Sequence, residues 1–267
     1  MSSACLDEMR TLVFDLDDTL VVEEQSAEAA FRATCALAHK RAEVNPETLH
    51  KSIRQCCREL WHQSPARSYC IDVGISSWEG LWAEFHGDSE SLRTLSEWKQ
   101  TYRQQSWLGA LQRCGVPRND ALATELAETF VRERRRRHVV YPDVLPTLQS
   151  LKQRYRLGLL TNGAPDLQKA KLENSGLAPM FDATLISGDI GIGKPNVRVF
   201  ELILDQLGGR TATSVMIGNS LKSDVLPAMR MGMKGIWLNR ERTVRDDSIA
   251  PHIEVNSLVE LRALLET

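Results

Sequence analysis

The sequence predicts an α/β protein with a doubly wound parallel sheet and an inserted all-helical domain. Three observations predict this fold: apolar strands alternate with helices after residue 138, residues 22–137 contain helix after helix with no convincing strand, and one apolar strand precedes that segment. Alternating strands and helices are typical of a parallel sheet that is covered on both faces. We therefore predict an α/β core formed by residues 1–21 and 138–267, interrupted by a helical domain at residues 22–137.

The composition is that of an ordinary globular protein. The chain has 267 residues, of which 42% are apolar and 25% charged, and its formal net charge is −2. This balance gives no electrostatic reason to expect nucleic acid or a membrane surface as a partner. The six cysteines form no CxxC pair and no zinc-binding spacing, and the sequence does not start with a signal peptide. We therefore expect a cytoplasmic protein with reduced thiols and no membrane span.

The first half of the chain begins with a strand at about Arg10–Asp15, and the predicted helices follow it. Asn45 and Pro46 form a helix start signal, because asparagine caps the helix and proline suits its first position. The helix that they start ends at about Trp61. The other predicted helices in this segment are one that contains residues 27–38 and three at about Trp78–Phe85, Leu92–Leu111 and Asn119–Arg135. Five of the six tryptophans lie in this segment, and we expect them to pack between helices.

The second half alternates between helices and strands. The predicted strands are Leu157–Thr161, Ala183–Ser187, Ser214–Ile217, Gly235–Leu238 and one near residue 252. The predicted helices are Asp143–Tyr155, Pro165–Ser175, Asn196–Leu207, one after residue 220 and one ending near Leu265. Gly188–Gly193 is predicted to be a glycine-rich loop. In such a sheet, ligands bind outside the carboxyl ends of the strands.

Three carboxylates follow the first strand within four positions: Asp15, Asp17 and Asp18. Carboxylates this close repel one another and raise one another's pKa. A divalent cation with hard oxygen ligands would relieve the repulsion, and a carboxylate at such a site can also act as a nucleophile. The alternative at this point is a polar strand end followed by a turn.

Other strand ends carry groups that suit phosphoryl transfer. Thr161 and Asn162 end one strand, Lys194 lies in a glycine-rich loop, and Asn219 and Asp224 follow a further strand. A hydroxyl group, turn N–H groups and a lysine can bind phosphate oxygens, while a second carboxylic acid can protonate a leaving alkoxide. A parallel sheet would bring these groups to one edge.

In this order the residues resemble the haloacid dehalogenase (HAD) superfamily of hydrolases, in its phosphatase branch. The first family motif, DxDx[TV], matches at Asp15–Thr19, the second at Thr161, the third at Lys194 and the fourth, GDxxxxD, at Gly218–Asp224. The resemblance is close over residues 10–20 and 139–238. The helical segment is similar to a C1-type cap in position and helical character only.

The resemblance implies a role for each matching residue. Asp15 would be the nucleophile that becomes phosphorylated, and Asp17 would be the general acid and base. Thr161, Asn162 and Lys194 would bind the phosphoryl group. Asp15, Asp17 through its backbone carbonyl, Asp224 and Asn219 would hold Mg²⁺. The implied activity is a magnesium-dependent phosphatase for a small phosphorylated metabolite, such as a nucleotide or a sugar phosphate.

Two positions keep alternatives open. The family pattern usually has aspartate where this chain has Asn219, which can offer an oxygen to magnesium but brings no charge. Asn219 is thus either a neutral ligand beside Asp224 or the sign of a weakened site, as in a HAD-like protein kept for binding or regulation. The second alternative is a 2-haloacid dehalogenase. Asp17 favours the phosphatase, because the first motif of the dehalogenases normally lacks that aspartate.

Several other polar groups are assigned no chemistry. Arg134–Arg137 is expected to be the solvated end of a helix, where positive charge complements the helix dipole. Residues 63–77 are expected to form a connecting loop. Asp18 is expected to support its loop, while Asp189 either orients Lys194 or is a solvated loop acid.

Overall fold

The computed structural model of the protein describes residues 8–244 and 248–266. The chain folds into two compact units. The α/β unit takes its described residues from 1–22, 140–162 and 171–267, and the helical unit consists of residues 23–139 and 163–170. The fold class is confirmed, whereas the limits proposed for a core and a cap domain stay a prediction.

The α/β unit is built on one six-stranded sheet whose neighbouring strands are all parallel. The strands are β1 (Thr11–Phe14), β2 (Arg156–Thr161), β3 (Ala183–Ile186), β4 (Ser214–Gly218), β5 (Lys234–Leu238) and β6 (Ile253–Val255). Their order in the sheet is β3-β2-β1-β4-β5-β6. The strand order reverses between β1 and β4, which is where doubly wound sheets bind their ligands.

Helices account for most of the remaining chain. In chain order they are α1 (Glu24–Ala42), α2 (Pro46–Trp61), α3 (Arg67–Val73), α4 (Ser77–Gly80), α5 (Glu90–Arg113), α6 (Asp120–Arg135), α7 (Val144–Leu151), α8 (Pro165–Ser175), α9 (Ser187–Ile190), α10 (Val197–Leu207), α11 (Leu226–Arg230) and α12 (Leu258–Leu265). In the part of the chain that the structure describes, no helix combines the length and apolar character that crossing a membrane requires.

Both faces of the sheet are covered by helices. Successive residues of a strand point to opposite faces, so each strand contributes side chains to two separate cores. Leu12 packs with Leu261 of α12 in the core on one face. Val13 packs with Phe200 of α10 in the core on the other. On that second face α10 lies so close to β2 that a Cβ atom at Gly158 would come within 2.6 Å of Leu207. The near-continuous apolar strands of the sequence are explained by this double coverage.

The helical unit has a separate core in which aromatic residues dominate. Trp61, Trp82 and Trp107 are buried, as expected for tryptophans that pack between helices. The predicted start of α2 is also confirmed: the Asn45 side chain accepts a hydrogen bond from the backbone N–H of Thr48 at 3.0 Å.

Three local predictions were wrong. The segment at 63–77 is not a plain loop, because it contains α3, which ends at Gly74 in the left-handed conformation (φ 74°). The helix expected at Trp78–Phe85 is only the single turn α4, and Phe85 takes a φ of 58°. The loop at Gly188–Gly193 begins inside the short helix α9.

The arginine run also differs from its prediction. Arg134 is buried, donates a hydrogen bond to Glu23 at 2.7 Å and lies over the Trp82 ring at 4.6 Å from its centroid. Only part of the run is solvated, since Arg136 keeps a side-chain exposure of 67%. The helix dipole does not explain the burial of Arg134, whereas the ion pair with Glu23 and the aromatic face of Trp82 do.

Candidate active site

A tight turn after β1 places the first carboxylates at the carboxyl edge of the sheet. The backbone N–H of Asp15 still pairs with β4, donating to the carbonyl of Ile217 at 3.0 Å. The chain then turns back: Leu20 N–H donates to the Leu16 carbonyl at 2.8 Å, and Asp18 takes a left-handed φ of 55°. Aspartate tolerates this conformation better than most residues. Asp18 is thus a turn residue, in keeping with the supporting role expected of it.

Asp15, Lys194 and Asp224 form a buried cluster. The Lys194 Nζ atom lies 2.5 Å from Asp15 Oδ1 and 2.7 Å from Asp224 Oδ1. All three residues are buried, with exposures of 7% for Asp15, 6% for Lys194 and 1% for Asp224. One ammonium group therefore serves two carboxylates that come from different strand ends, and the cluster carries excess negative charge in a poorly solvated place.

The excess charge perturbs the pKa of both ends of the Asp15–Lys194 pair. Burial raises the pKa of Asp15 from its ordinary value of 3.8 to about 7, and the Asp224 and Asp17 carboxylates add to this against the opposing effect of Lys194. Burial alone would lower the pKa of Lys194, but Asp15 and Asp224 outweigh it and hold that pKa above its usual range. Lys194 is therefore a permanent cation, and negative charge on Asp15 is costly without a further cation.

Thr19 connects the nucleophile candidate to the loop after β4. Its hydroxyl donates to Asp15 Oδ2 at 2.8 Å and accepts from the backbone N–H of Asn219 at 3.1 Å. The Asn219 carbonyl in turn accepts from Trp237 Nε1 at 2.8 Å. Asn219 thus joins the site through its backbone, while its side chain is exposed. Thr19 and Asn219 both lie in sequence motifs, but neither motif indicates this bond.

Gly218 is the reason that Asp224 can approach the strand end. The Asp224 Oδ2 atom accepts from the backbone N–H of Ser220 at 3.0 Å, which fixes the carboxylate against the loop. A Cβ atom on Gly218 would overlap the Asp224 carboxylate. The glycine of the fourth motif is therefore required by close packing here and not by a left-handed φ.

Asn162 binds the backbone of Lys194 with both ends of its amide. Its Oδ1 accepts from the Lys194 N–H at 2.8 Å, and its Nδ2 donates to the Lys194 carbonyl at 2.8 Å. We call this pair of bonds the Asn162 clasp. Thr161 is buried at the end of β2, with its hydroxyl 3.4 Å from the Asn162 carbonyl. The clasp gives Asn162 a positioning task that its motif did not predict.

Lys171 is a site residue that the sequence motifs did not reveal. Its Nζ atom lies 2.8 and 3.0 Å from the two carboxylate oxygens of Asp17, and its exposure is only 2%. The sequence contains a helical signal for this burial, because Lys171 lies next to Leu172 and four residues after Leu167, and both leucines are buried. A lysine on a buried stripe needs a partner, and here that partner is Asp17.

Comparisons with known proteins agree on one family. The family model described as a haloacid dehalogenase-like hydrolase matches residues 9–232. The phosphoserine phosphatase of Thermus thermophilus is 34% identical over 95% of this chain and 98% of its own length. The N-acylneuraminate-9-phosphatase of Mus musculus is 26% identical over 98% and 96%. The crystal structure of a 2-haloacid dehalogenase from Pseudomonas syringae is 27% identical, with a TM-score of 0.60 and coverage of 97% and 98%.

Proposed function

We propose that this chain, which belongs to the haloacid dehalogenase-like hydrolase family, is a magnesium-dependent phosphatase that acts on a small phosphorylated metabolite through an aspartyl-phosphate. Its activity class is that of a phosphate monoester hydrolase. The observation that carries the finer proposal is the buried Asp15–Lys194–Asp224 cluster at the strand-order reversal, with Asp17 two residues from Asp15.

The proposed reaction has two steps that use the same pair of aspartates. An Asp15 carboxylate oxygen bonds to phosphorus while the ester P–O bond breaks, and Asp17 gives a proton to the departing oxygen. Asp17 then takes a proton from water, whose oxygen attacks phosphorus and frees Asp15 with release of inorganic phosphate. Lys194 pairs with Asp15 before the reaction, and we assign it to the phosphoryl oxygens during the reaction, with Thr161 and Asn162 beside it.

The donor set of the site fits Mg²⁺. The cluster has one ammonium group for two buried carboxylates, so a divalent cation would supply the missing positive charge. Within residues 8–244 and 248–266, no three acidic, histidine or cysteine side chains converge as a ligand set. Mg²⁺ commonly takes one or two carboxylates and keeps several waters, so Asp15, Asp224, the Asp17 carbonyl and the Asn219 amide form a sufficient proposed set. A bound ion would neutralise charge on Asp15 and on the phosphoryl group.

The proposed substrate is a small phosphate monoester. The relatives are named for phosphoserine and for N-acylneuraminate 9-phosphate, and both are small phosphorylated metabolites. A panel of O-phosphoserine, N-acetylneuraminate 9-phosphate, pyrimidine nucleoside monophosphates and sugar phosphates would rank the candidates by kcat/KM. Equal, very low activity on all of them would contradict the substrate class.

Hydrolysis of p-nitrophenyl phosphate tests the proposed function. We expect hydrolysis that requires added magnesium, is abolished by EDTA and is lost in Asp15→Asn by at least about a thousandfold, because the nucleophile is removed. Asp205→Asn, which replaces an exposed acid of α10 outside the cluster, is the control and should keep its activity. Hydrolysis that survives in Asp15→Asn would rule out the aspartyl-phosphate.

The structural likeness to a 2-haloacid dehalogenase supports a second candidate function. Halide release from 2-chloropropionate without added metal would favour it over the phosphatase. We expect none, since Asp17 provides the acid that phosphate ester cleavage needs. A third outcome, binding of phosphate esters without turnover at millimolar magnesium, would identify a HAD-like binding protein weakened at Asn219.

A further inference from the structure

A cavity of about 350 Å³ lies in the helical unit, between α5 and α6. All of the described residues that line it belong to that unit. Among them, the charged ones are the acid Glu128 and the arginines Arg103, Arg132, Arg135 and Arg136. The volume is within the range of small-molecule sites, whereas the sequence predicts only a solvated helix end here.

Among the described residues, the cations of this region outnumber the carboxylates that could neutralise them. Glu84 serves three cations: Arg135 at 2.7 Å, Lys99 at 3.1 Å and Arg103 at 3.3 Å. Arg132 donates to a neutral group, the Thr129 hydroxyl, at 2.8 Å. The surroundings of the cavity thus carry more positive charge than these ion pairs compensate.

Three further acids stand near the arginines, and the cations still outnumber the carboxylates when they are included. The Asp166 carboxylate, which favours the charged form of Arg103, accepts hydrogen bonds from the backbone N–H groups of Glu84 and Phe85 at 2.8 and 3.0 Å. Glu133 lies 3.9 Å from Arg136, but its closer partner is Arg137 at 2.5 Å. Glu128 is exposed at the cavity wall and faces four arginines.

Arg103 distinguishes this cavity from an ordinary basic surface patch. It comes from α5, and the other three arginines follow it in sequence by 29 to 33 positions on or just after α6. Its exposure is 6%, its Nη2 donates to the Ala83 carbonyl at 2.6 Å, and its Nε has no hydrogen-bond partner within the described residues. A buried donor without a partner costs free energy, which a bound acceptor would recover.

The pKa of Arg103 agrees with the crowding of positive charge. Burial lowers this pKa below its usual range, and the Arg135 cation adds to the effect, although the Glu84 and Asp166 carboxylates oppose both. A buried cation next to another cation is stabilised by an anion, and guanidinium groups bind carboxylates and phosphates through two parallel hydrogen bonds.

We propose that this cavity is a second ligand site, which binds a small metabolite with two or more anionic groups. Arg132 and Arg135 bind its carboxylate or phosphate groups at the mouth, and Arg103 contributes its charge from the buried side. Ala127 and Val131, which also line the cavity, contact the carbon skeleton. A polycarboxylate and a polyphosphate ligand would both present several anionic groups on a short carbon skeleton. We assign no reaction to this site.

The test is isothermal titration of the full-length protein in magnesium-free buffer with propane-1,2,3-tricarboxylate. We expect saturable one-to-one binding that weakens as sodium chloride is raised. Arg132→Gln should weaken binding at least about tenfold, because a charge-assisted hydrogen bond is lost. Arg118→Gln removes an equally charged, exposed arginine of the same unit, paired with Asp120 and outside the cavity, and should change affinity less than twofold.

Two more variants separate binding in the cavity from loss of folding and from binding at the phosphatase cluster. Glu128→Gln removes the carboxylate from the wall and should tighten binding severalfold, which a general loss of folding cannot do. Asp15→Asn should bind as the wild type does, since the proposed site is not the phosphatase cluster. Binding that is lost in Asp15→Asn but unchanged in Arg132→Gln, or an absence of saturation at about 10 mM, would overturn the proposal.

Methylenediphosphonate, which phosphatases cannot hydrolyse, forms the second arm. If it binds wild type more tightly than the tricarboxylate does, and Arg132→Gln weakens it, the natural ligand is phosphorylated. If the tricarboxylate binds more tightly, the ligand is a polycarboxylate. Binding of neither probe overturns the proposal, and this result would leave the phosphatase assignment untouched.

Discussion

The two units of the molecule carry local charge imbalances of opposite sign. In the α/β unit, the ammonium of Lys194 serves the carboxylates of both Asp15 and Asp224. In the helical unit, the carboxylate of Glu84 serves Lys99, Arg103 and Arg135. A buried charge without a full complement of counter-charge is expensive, so each imbalance indicates a ligand of the opposite sign. The first indicates a cation and the second a polyanion.

A third ion pair shows what a balanced arrangement looks like. Arg134 and Glu23 in the helical unit pair one to one at 2.7 Å, and the Trp82 face covers the guanidinium. One carboxylate meets one guanidinium here, whereas the other two clusters share a single ion among several partners. The Arg134 Nη1 atom still has no hydrogen-bond partner among the described residues, so a single unpaired donor does not by itself indicate a ligand. We therefore take the ratio of charges as the sign of a ligand.

The largest expected effect comes from removing the shared cation of the α/β unit. Lys194→Met leaves two carboxylates buried without a counter-charge, and we expect the free energy of unfolding to fall by about 3–5 kcal/mol in EDTA. Urea denaturation measures it. The double variant Lys194→Met/Asp15→Asn should recover part of the loss, because one of the opposed charges is gone. Equal stability of the single and double variants would contradict the excess of negative charge.

Gly218→Ala should disturb the same cluster by steric means. The new Cβ would overlap the Asp224 carboxylate, so we expect a loss of about 1–3 kcal/mol and a raised magnesium requirement. Denaturation and magnesium titration of the activity measure the two effects. Gly109→Ala on α5 is the matched control, since its Cβ would meet only Cys56 Sγ at 3.5 Å among the described atoms and alanine suits a helix better. Wild-type magnesium dependence in Gly218→Ala would remove Asp224 from the proposed ligand set.

The imbalance of the helical unit is tested with Glu84→Gln. Removing the shared carboxylate leaves the buried Arg103 less compensated, and we expect a loss of about 1–2 kcal/mol, discounted because Lys99 and Arg135 are partly solvated. Thermal denaturation in chloride and in the tricarboxylate measures the stability with and without the ligand. The variant should gain more from the tricarboxylate than the wild type does. An equal gain in the variant and the wild type would contradict the proposed excess of positive charge in the helical unit.

Lys171→Met tests the ion pair of Lys171 and Asp17 in the α/β unit. The Asp17 side chain would lose the bidentate partner that fixes its orientation. We expect about a tenfold lower kcat for an alkyl phosphate, whose poor leaving group depends on a correctly placed proton donor. p-Nitrophenyl phosphate, which needs less protonation, should be affected less. Lys171→Arg should restore part of the rate. The same loss with both substrates would show that Lys171 acts only on stability.

The last expected effect is a gradual one, a pH dependence of stability without metal. The pKa of Asp15 is raised from 3.8 to about 7 in the folded protein. Between about pH 4 and pH 7 the folded state therefore holds more protons than the unfolded state, so stability falls as the pH rises, by at most about 1.4 kcal/mol per unit. Asp15→Asn should lack this slope, and magnesium should flatten it. A slope of the opposite sign in wild type would contradict the buried negative excess.

The sequence was most informative where a short motif fixes the chemistry. Asp15, Lys194 and Asp224 could be chosen because parallel strands bring their carboxyl ends to one edge, and the structure places them in direct contact. The parallel order of the sheet followed from the alternation of strands and helices. The choice of these three residues rested on the resemblance to the HAD motifs as well as on the general geometry of such sheets.

Residues whose contacts depend on tertiary packing could not be predicted in the same way. Lys171 reaches Asp17 across 154 positions, and Arg240 donates to the Thr19 carbonyl at 3.0 Å across 221. Arg134 was expected in solvent because its neighbours are arginines. Successive residues of a helix point in different directions, however, so one arginine can be buried while the next is exposed. Helix α3 was missed because it is only seven residues long and its end is set by Gly74.

The Asn162 clasp also depends on a side chain that can degrade chemically. Asn162 is followed by Gly163, whose missing side chain leaves the backbone nitrogen open to attack the amide, so this pair is prone to deamidation. The resulting aspartate would replace the Nδ2 donor by an oxygen that faces the carbonyl of Lys194. An attraction would become a repulsion directly behind the lysine that holds Asp15. A stored sample would then age by losing the clasp first, and peptide mass spectrometry at Asn162 would follow the decline in activity.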